Sequence, residues 1–270
     1  MDLHRTGFMR FRPCIDLHGG RVKQIVGSTL RDDRADALRI NFASDFPPAH
    51  YAALYRRDNL PGGHVIMLGP GNEEAAAEAL KVWPGGMQVG GGITADNAVQ
   101  WLDRGASHVI VTSHVFHHGR LDEDRLRRLR DLVGRRRLVL DLSCRRRGDG
   151  YYVVTDRWQK FTDLRISAAT LEKLAASCDE FLVHAVDVEG KCMGVDAELI
   201  DLLAAHVPIP TTYAGGVATM ADLGLIRDAG RGRLDVTVGS ALDIFGGSGI
   251  TYREVVDFHR RQQKEESGGS

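Results

Sequence analysis

Residues 87–113 read MQVGGGITADNAVQWLDRGASHVIVTS. A short apolar run ends in three glycines. A helical stretch follows, which Thr94 can cap and Gly105 can end, and then a β-branched run closes on Thr112-Ser113. This strand–turn–helix–strand unit returns later in the chain. Gly91-Gly92-Ile93 recurs as Gly215-Gly216-Val217, 124 residues on, and VIVTS (109–113) recurs as VTVGS (236–240), 127 on. A third pair, Asp16-Leu17 and Asp141-Leu142, is offset by 125 residues. Three features returning in one order at nearly one offset read as two halves of four βα units each.

The rest of the chain fits that frame. Strand-like runs occupy 9–16, 64–69, 87–90, 108–112, 137–142, 180–187, 208–214 and 234–239. Amphipathic segments lie between them. Asn72 can cap a helix carrying Ala76, Leu80 and Trp83. Asp196 and Thr219 can cap two others, and Thr251 with Glu254 forms a capping-box pattern. Eight alternating strands allow a closed barrel or an open doubly wound sheet. The repeat selects an α/β fold, a single (β/α)8 TIM barrel over 1–262, with half-barrels at about 9–130 and 131–262. The polar residues 263–270 read as a disordered tail. Residues 17–63 exceed one βα connection. They predict a hairpin within 19–29, a polar loop at 30–41 and a helix at 48–57, together a lid on the catalytic face. Arg12 and Arg137 lie two steps below the strand ends and read as a plug or solvated rim at the lower end of the barrel.

Composition narrows the functional classes. The chain has 270 residues, 43 % hydrophobic and 26 % charged, with a net charge of −1. No apolar run reaches the roughly 20 residues of a membrane helix. A near-neutral chain lacks the basic excess of a nucleic-acid binder. Cys14, Cys144, Cys178 and Cys192 form no CxxC pair, so they read as reduced thiols in a cytoplasmic protein. His114, His117 and His118 are close in sequence, but no HExxH or Cys/His quartet exists, and no metal site is expected.

The glycine turns carry the chemistry. Gly91-Gly92 and Gly215-Gly216 each follow a strand and precede a helix, where free N–H groups attract phosphate. One unit later come Thr112-Ser113 and Gly239-Ser240. In a barrel these turns make two phosphate sites on opposite sides of the mouth, and so imply a substrate with a phosphate at each end. One such turn alone would read as a geometric need for glycine. Asp16 and Asp141 end strands one and five, across the mouth from each other, where paired carboxylates can divide acid and base roles. An Asp ending one strand alone would read as a loop cap. Arg145 begins a basic run that either grips phosphate or is a solvated loop. Trp158 either stacks on a heteroaromatic base or packs a second hairpin over 144–155. His64 and His184 are strand histidines with a structural default. Asp187 and Glu189, just beyond His184, could reach the mouth.

These residues resemble the HisA isomerase family of histidine biosynthesis. The resemblance rests on PCIDLHGG (13–20) with Arg21-Val22-Lys23-Gln24, QVGGGI (88–93), VIVTS (109–113), LDLSCR (140–145), LVHAVDVEG (182–190), YAGGV (213–217) and VGSALDIFGG (238–247). It spans about 9–250 and is closest to the divergent, eukaryotic-type branch. It implies an Amadori-type aldose-to-ketose isomerisation of a bisphosphorylated formimino-aminoimidazole-carboxamide ribotide, with no metal or organic cofactor. By carry-over Asp16 is the general base and Asp141 the general acid. Arg21, Lys23, His64, Arg145, Trp158, His184 and Asp187 become possible substrate contacts. The resemblance further implies a cytoplasmic monomer with a small-molecule substrate and no obligate protein partner, nucleic acid or membrane. The chain departs from the bacterial pattern at three places: Thr94 where that pattern has Arg, Ala185 where it has a supporting Thr, and Met67 where it has Asp. His184 or Asp187 would then replace the lost Thr, which makes Asp187 the second candidate for the acid.

Three rival readings remain open. The sibling cyclase subunit of imidazole glycerol phosphate synthase shares both aspartates and both phosphate turns, but the Val22-Lys23-Gln24 and LHGG patterns favour the isomerase. A non-catalytic barrel binding phosphorylated metabolites would not need Asp16 and Asp141 together. A second activity on phosphoribosylanthranilate would use the same chemistry.

Overall fold

The structure is a computed structural model that describes residues 8–25, 40–156 and 158–268. Its strands and helices run, in chain order, β1 (Cys14–His18), β2 (Arg21–Ile25), β3 (Ile40–Ala43), α1 (Pro48–Arg57), β4 (Gly63–Met67), α2 (Glu73–Val82), β5 (Met87–Gly90) and α3 (Ala98–Asp103). Then come β6 (Val109–Val111), β7 (Phe116–His117), β8 (Arg120–Leu121), α4 (Glu123–Val133), β9 (Leu138–Asp141), β10 (Cys144–Arg147), β11 (Gly150–Thr155), β12 (Lys160–Arg165) and α5 (Ala168–Ala175). The chain ends with β13 (Glu180–His184), α6 (Ala197–His206), β14 (Thr211–Ala214), α7 (Met220–Gly230), β15 (Leu234–Val236) and α8 (Tyr252–Gly268).

The order β1-β4-β5-β6-β9-β13-β14-β15 is parallel throughout. The sheet closes on itself. Arg12 N donates to Val236 O at 2.8 Å and Val236 N donates to Arg10 O at 2.9 Å, so the chain just before β1 pairs with β15. Closure removes both edges and satisfies their backbone groups. This is the expected (β/α)8 barrel. β1 starts later than its apolar run suggests, because Met9 and Phe11 are buried against α8 and β15 rather than laddered with β4.

Ile110, Val139, Leu182 and Ala214, with Ile66 beside them, form their own cluster on alternate inward positions of five strands. A second, larger core lies between the strands and the helices. The lower end is closed by charge. Arg12 Nε donates to Asp235 Oδ2 (3.0 Å), its terminal nitrogen reaches Glu180 Oε1 (3.4 Å), and Gln88 Nε2 donates to Glu180 Oε2 (2.8 Å). Burial lowers the proton affinity of the guanidinium, but the two carboxylates hold it above normal. Arg12 is therefore the plug. Arg137 is the rim, donating to the carbonyls of Ala106 and Ser107.

Several local expectations are corrected. The hairpin expected within 19–29 is instead β1–β2, joined at Gly19-Gly20, with β3 added on the far side of β2. Of the polar loop expected at 30–41, residues 40 and 41 instead begin β3, and 26–39 lie outside the described residues. The second hairpin forms as β10–β11, and β12 extends it to a three-stranded sheet over 144–165. Asn72 does not cap α2. Its Oδ1 accepts from Gly20 N (2.8 Å) and its Nδ2 donates to Gly69 O (2.8 Å), tying β1's turn to β4's. The Asp196, Thr219 and Thr251 caps form as read. α8 runs through Gly268, because Gln, Lys and Glu sustain the helix where a tail from 263 was expected. All four cysteines are free.

Candidate active site

The C-terminal ends of the barrel strands surround a cleft of about 730 Å³ and a smaller chamber beside it. Both are lined by Asp16, Gln24, His184 and Glu189. The large cleft adds Asp141, Trp158, Gly91, Gly92, Thr112 and Ser113. The small chamber adds His64, Gly215, Gly216, Gly239 and Ser240. The barrel thus brings both aspartates to one place and puts one glycine turn on each side of them.

Asp16 and Asp141 sit in different surroundings. Asp16 Oδ2 accepts from Gln24 Nε2 at 2.9 Å. Burial raises its proton affinity, and the opposing pull of His184 and Gln24 does not cancel that. For Asp141 burial pushes the same way but loses. His184 and two bonds from Ser143, N to Oδ1 at 2.8 Å and Oγ to Oδ1 at 2.6 Å, hold the carboxyl below its usual range. His184 Nδ1 lies 3.1 Å from Ser143 Oγ and 3.6 Å from Asp141 Oδ1. Since the Ser143 hydroxyl proton goes to Asp141, the His184 N–H donates to the Ser143 oxygen. Burial opposes the imidazolium, but Asp141, Glu189 and Asp16 push its pKa up to about 9. His184 is therefore a cation at neutral pH, facing an anionic Asp141. His64, 6.4 Å away ring to ring, has its pKa lowered to about 3 by burial and by His184, and is neutral. Trp158 packs 5.5 Å from the His184 ring, held at a left-handed φ of +66°.

The turns need glycine for two reasons. At Gly91, with φ +90°, a Cβ would lie 2.0 Å from Met67 O, and at Gly216, with φ +77°, it would lie 2.1 Å from Gly194 O. Close packing forbids a side chain there, and the same bareness opens the backbone N–H groups to an anion. Among the described residues the lining of both cavities includes no Lys or Arg; the donors there are backbone N–H groups, hydroxyls and His184.

Four expected contacts are not in the mouth. Arg21 donates to Ser44 O and Asp45, and Lys23 Nζ lies 3.4 Å from His18 Nδ1. Arg145 Nε donates to Asp187 Oδ1 at 2.8 Å, and Arg146 N donates to Asp187 Oδ2. Asp187 is thereby held to β10 and is not among the residues lining either cavity. His184 stands beside Asp141 through Ser143, where the Ala185 side chain offers no hydrogen bond. Two residues at the site escaped the sequence reading. Ser143 carried a signal, since an Asp-x-Ser step is a common side-chain turn. Gln24 carried none, because only the β1–β2 pairing brings it to Asp16. Glu189 proves to be a wall of both cavities, its Oε2 buried without a hydrogen-bond partner among the described residues and its proton affinity raised by burial.

The fold and site define a (β/α)8 barrel with two part-buried aspartates at its C-terminal mouth and a glycine turn on each side of them. The chain belongs to the histidine biosynthesis protein family, whose model matches residues 10–247, and its relatives place it in the HisA branch. It is 57 % identical over 261 residues to a chloroplastic 1-(5-phosphoribosyl)-5-((5-phosphoribosylamino)methylideneamino)imidazole-4-carboxamide isomerase of Medicago truncatula, covering 94 % of this chain and 83 % of that one. Isomerases of the same name match from Neurospora crassa (51 % over 256 residues) and Saccharomyces cerevisiae (44 % over 259 residues), each covering 94 % of this chain and 99 % of the relative.

Proposed function

We propose that this protein is the histidine-biosynthesis isomerase that converts the bisphosphorylated formimino-aminoimidazole-carboxamide ribotide from aldose to ketose. One observation carries the reading: two part-buried carboxylates whose proton affinities are shifted in opposite directions share a cleft between two bare glycine turns. Such a cleft suits a substrate with a phosphate at each end and one proton transfer at each step between them. The named activity of the relatives supports the same substrate.

In this mechanism Gly91, Gly92, Thr112 and Ser113 hold one phosphate, and Gly215, Gly216, Gly239 and Ser240 hold the other. Asp141, fed by the His184 imidazolium through Ser143, delivers a proton to the furanose oxygen. The C1′–O bond breaks and a Schiff base forms. Asp16, made more basic by burial, takes the proton from C2′. The electron pair moves into an enolamine, which tautomerises to the ketose. Trp158 covers the reacting carbons. The reading includes one barrel domain over 1–262 with half-barrels at about 9–130 and 131–262. It also includes a monomer in the cytoplasm with no protein partner, no nucleic acid and no membrane. No described helix is long and apolar enough to cross a membrane.

The test is incubation of the protein in EDTA with the aldose ribotide, coupled to excess cyclase–glutaminase and followed by ultraviolet absorbance. Turnover that vanishes in Asp16→Asn supports the reading. Folded protein without turnover, but active on the ketose with ammonia, overturns it in favour of the cyclase.

A further inference from the structure

At the floor of the small chamber lies a donor set that the isomerisation does not use as a set. β1 and β4 pair in parallel with Cys14 opposite His64. Cys14 and Asp16 are two apart on β1, so both face inward, and His64 joins them from the neighbouring strand. The Cys14 sulfur, an Asp16 oxygen and a His64 ring nitrogen all lie within 4.8 Å of one another. We propose that Cys14, Asp16 and His64 form a site for a zinc-class divalent ion, and that its occupation silences the enzyme by engaging the base.

The chemistry of the three side chains supports this. Thiolate, imidazole and carboxylate are the ligands Zn2+ accepts, at about 2.0–2.3 Å each, which puts ligand atoms about 3.3–3.8 Å apart in a tetrahedron. Contraction by about an ångström achieves that spacing, and side-chain rotation supplies it. Burial and the neighbouring Asp16 hold the proton on the Cys14 thiol, so an ion must displace it to bind the sulfur. Its contacts are long ones, 3.8 Å to Val238 O and 3.9 Å to Gln24 Nε2. The neutral His64 ring keeps a lone pair available for a metal. Three protein ligands leave a fourth position toward the chamber, open to water. The ion's charge is met by Asp16, by the thiolate left when the Cys14 proton departs to solvent, and by the Glu189 carboxyl in the same chamber. The His184 cation opposes it. An ion held this way occupies the Asp16 oxygen that would take the C2′ proton. Binding rests on the residues alone, while inhibition rests on the isomerase reading above.

The experiment uses the full chain. Co2+ is titrated into apo-protein as a spectroscopic stand-in for Zn2+. The expected result is one equivalent with a thiolate-to-cobalt charge-transfer band, kept in Cys192→Ser and lost in Cys14→Val and in His64→Gln. Circular dichroism checks that each variant is folded. Zn2+ is then added to the isomerase alone, and the protein is removed on a filter before EDTA and the coupling enzymes are added to measure product, so that the coupling enzymes never meet the ion. Inhibition should reverse with EDTA. Relative to its own zinc-free rate, Cys14→Val should need about tenfold more Zn2+ or beyond, since even outer partners of a metal ligand are worth 10–100-fold in affinity. Absence of the band, its survival in Cys14→Val, or its loss in Cys192→Ser overturns the site. A band that behaves as expected in a protein with no isomerase activity upholds the site and overturns the proposed function instead.

Discussion

His184 Nδ1 stands 3.6 Å from Asp141 Oδ1, with the Ser143 hydroxyl set between them. The proton of this pair rests on the imidazole, not on the carboxyl. That relationship makes the acid of the site a two-residue device, and its consequences can be measured.

Activity should trace a bell in pH. Asp16 must be ionised, and its raised proton affinity places the acid limb above the ordinary Asp range. His184 must be protonated, so the alkaline limb should fall near pH 9. Stability should follow the same cation. A folded-state pKa raised from 6.5 to about 9 contributes stability that is full below the lower value and lost as pH rises through the upper one. Tm should therefore drop between pH 6.5 and 9 in the wild type and drop less in His184→Gln.

Asp16→Asn removes the proton acceptor but keeps the size and the bond from Gln24. It should lower kcat by about 10²–10⁴-fold with little change in KM. Steady-state kinetics decide, and near-normal turnover would remove Asp16 from the role of base.

Gln24→Leu tests the positioning of that base. Its amide now favours the ionised Asp16. Without it the acid limb of the pH–rate profile should move to higher pH, while the alkaline limb stays in place. A fall in rate with an unmoved profile would make Gln24 a packing residue only.

Gly216→Ala places a methyl 2.1 Å from Gly194 O at a φ of +77°. The 190–194 loop must shift, which opens the second anion turn. KM should rise by about tenfold or more while kcat changes less, since uniform binding is what is lost. The same substitution at Gly85, where a Cβ meets nothing within 4 Å, controls for backbone strain alone.

The lower plug is a matter of stability. Asp235→Asn leaves the Arg12 guanidinium buried with its nearest carboxylate gone. Removing one partner of a buried pair costs about 3–5 kcal/mol. Denaturant unfolding should show that loss, and kcat of the folded fraction should be unchanged, because the plug is at the opposite end of the barrel from the mouth.

Much of the site could be read from residue order. Asp16, Asp141, Thr112, Ser113, Gly239, Ser240 and both glycine pairs lie at strand ends, and strand ends point to the mouth of any such barrel. Arg21, Lys23, Arg145 and Asp187, which line neither cavity, could not be placed from residue order. They are long or charged side chains just past strand ends, and nothing local shows whether such a chain turns inward or finds a partner outside. Arg145 and Asp187 found each other, 42 positions apart.

The sequence by itself determined the barrel, its two-fold repeat and the strand ends that carry the chemistry. Those follow from short-range causes: alternation, glycine turns, helix caps and their spacing. Only the tertiary structure decided which carboxylate holds its proton more tightly, which residue supports each, and that β2 bends back to lay Gln24 on Asp16. Proton affinity depends on burial and on charges brought close by closure of the sheet. Cys14, Asp16 and His64 meet because β1 and β4 pair in one register and no other, and a register is a property of two strands together.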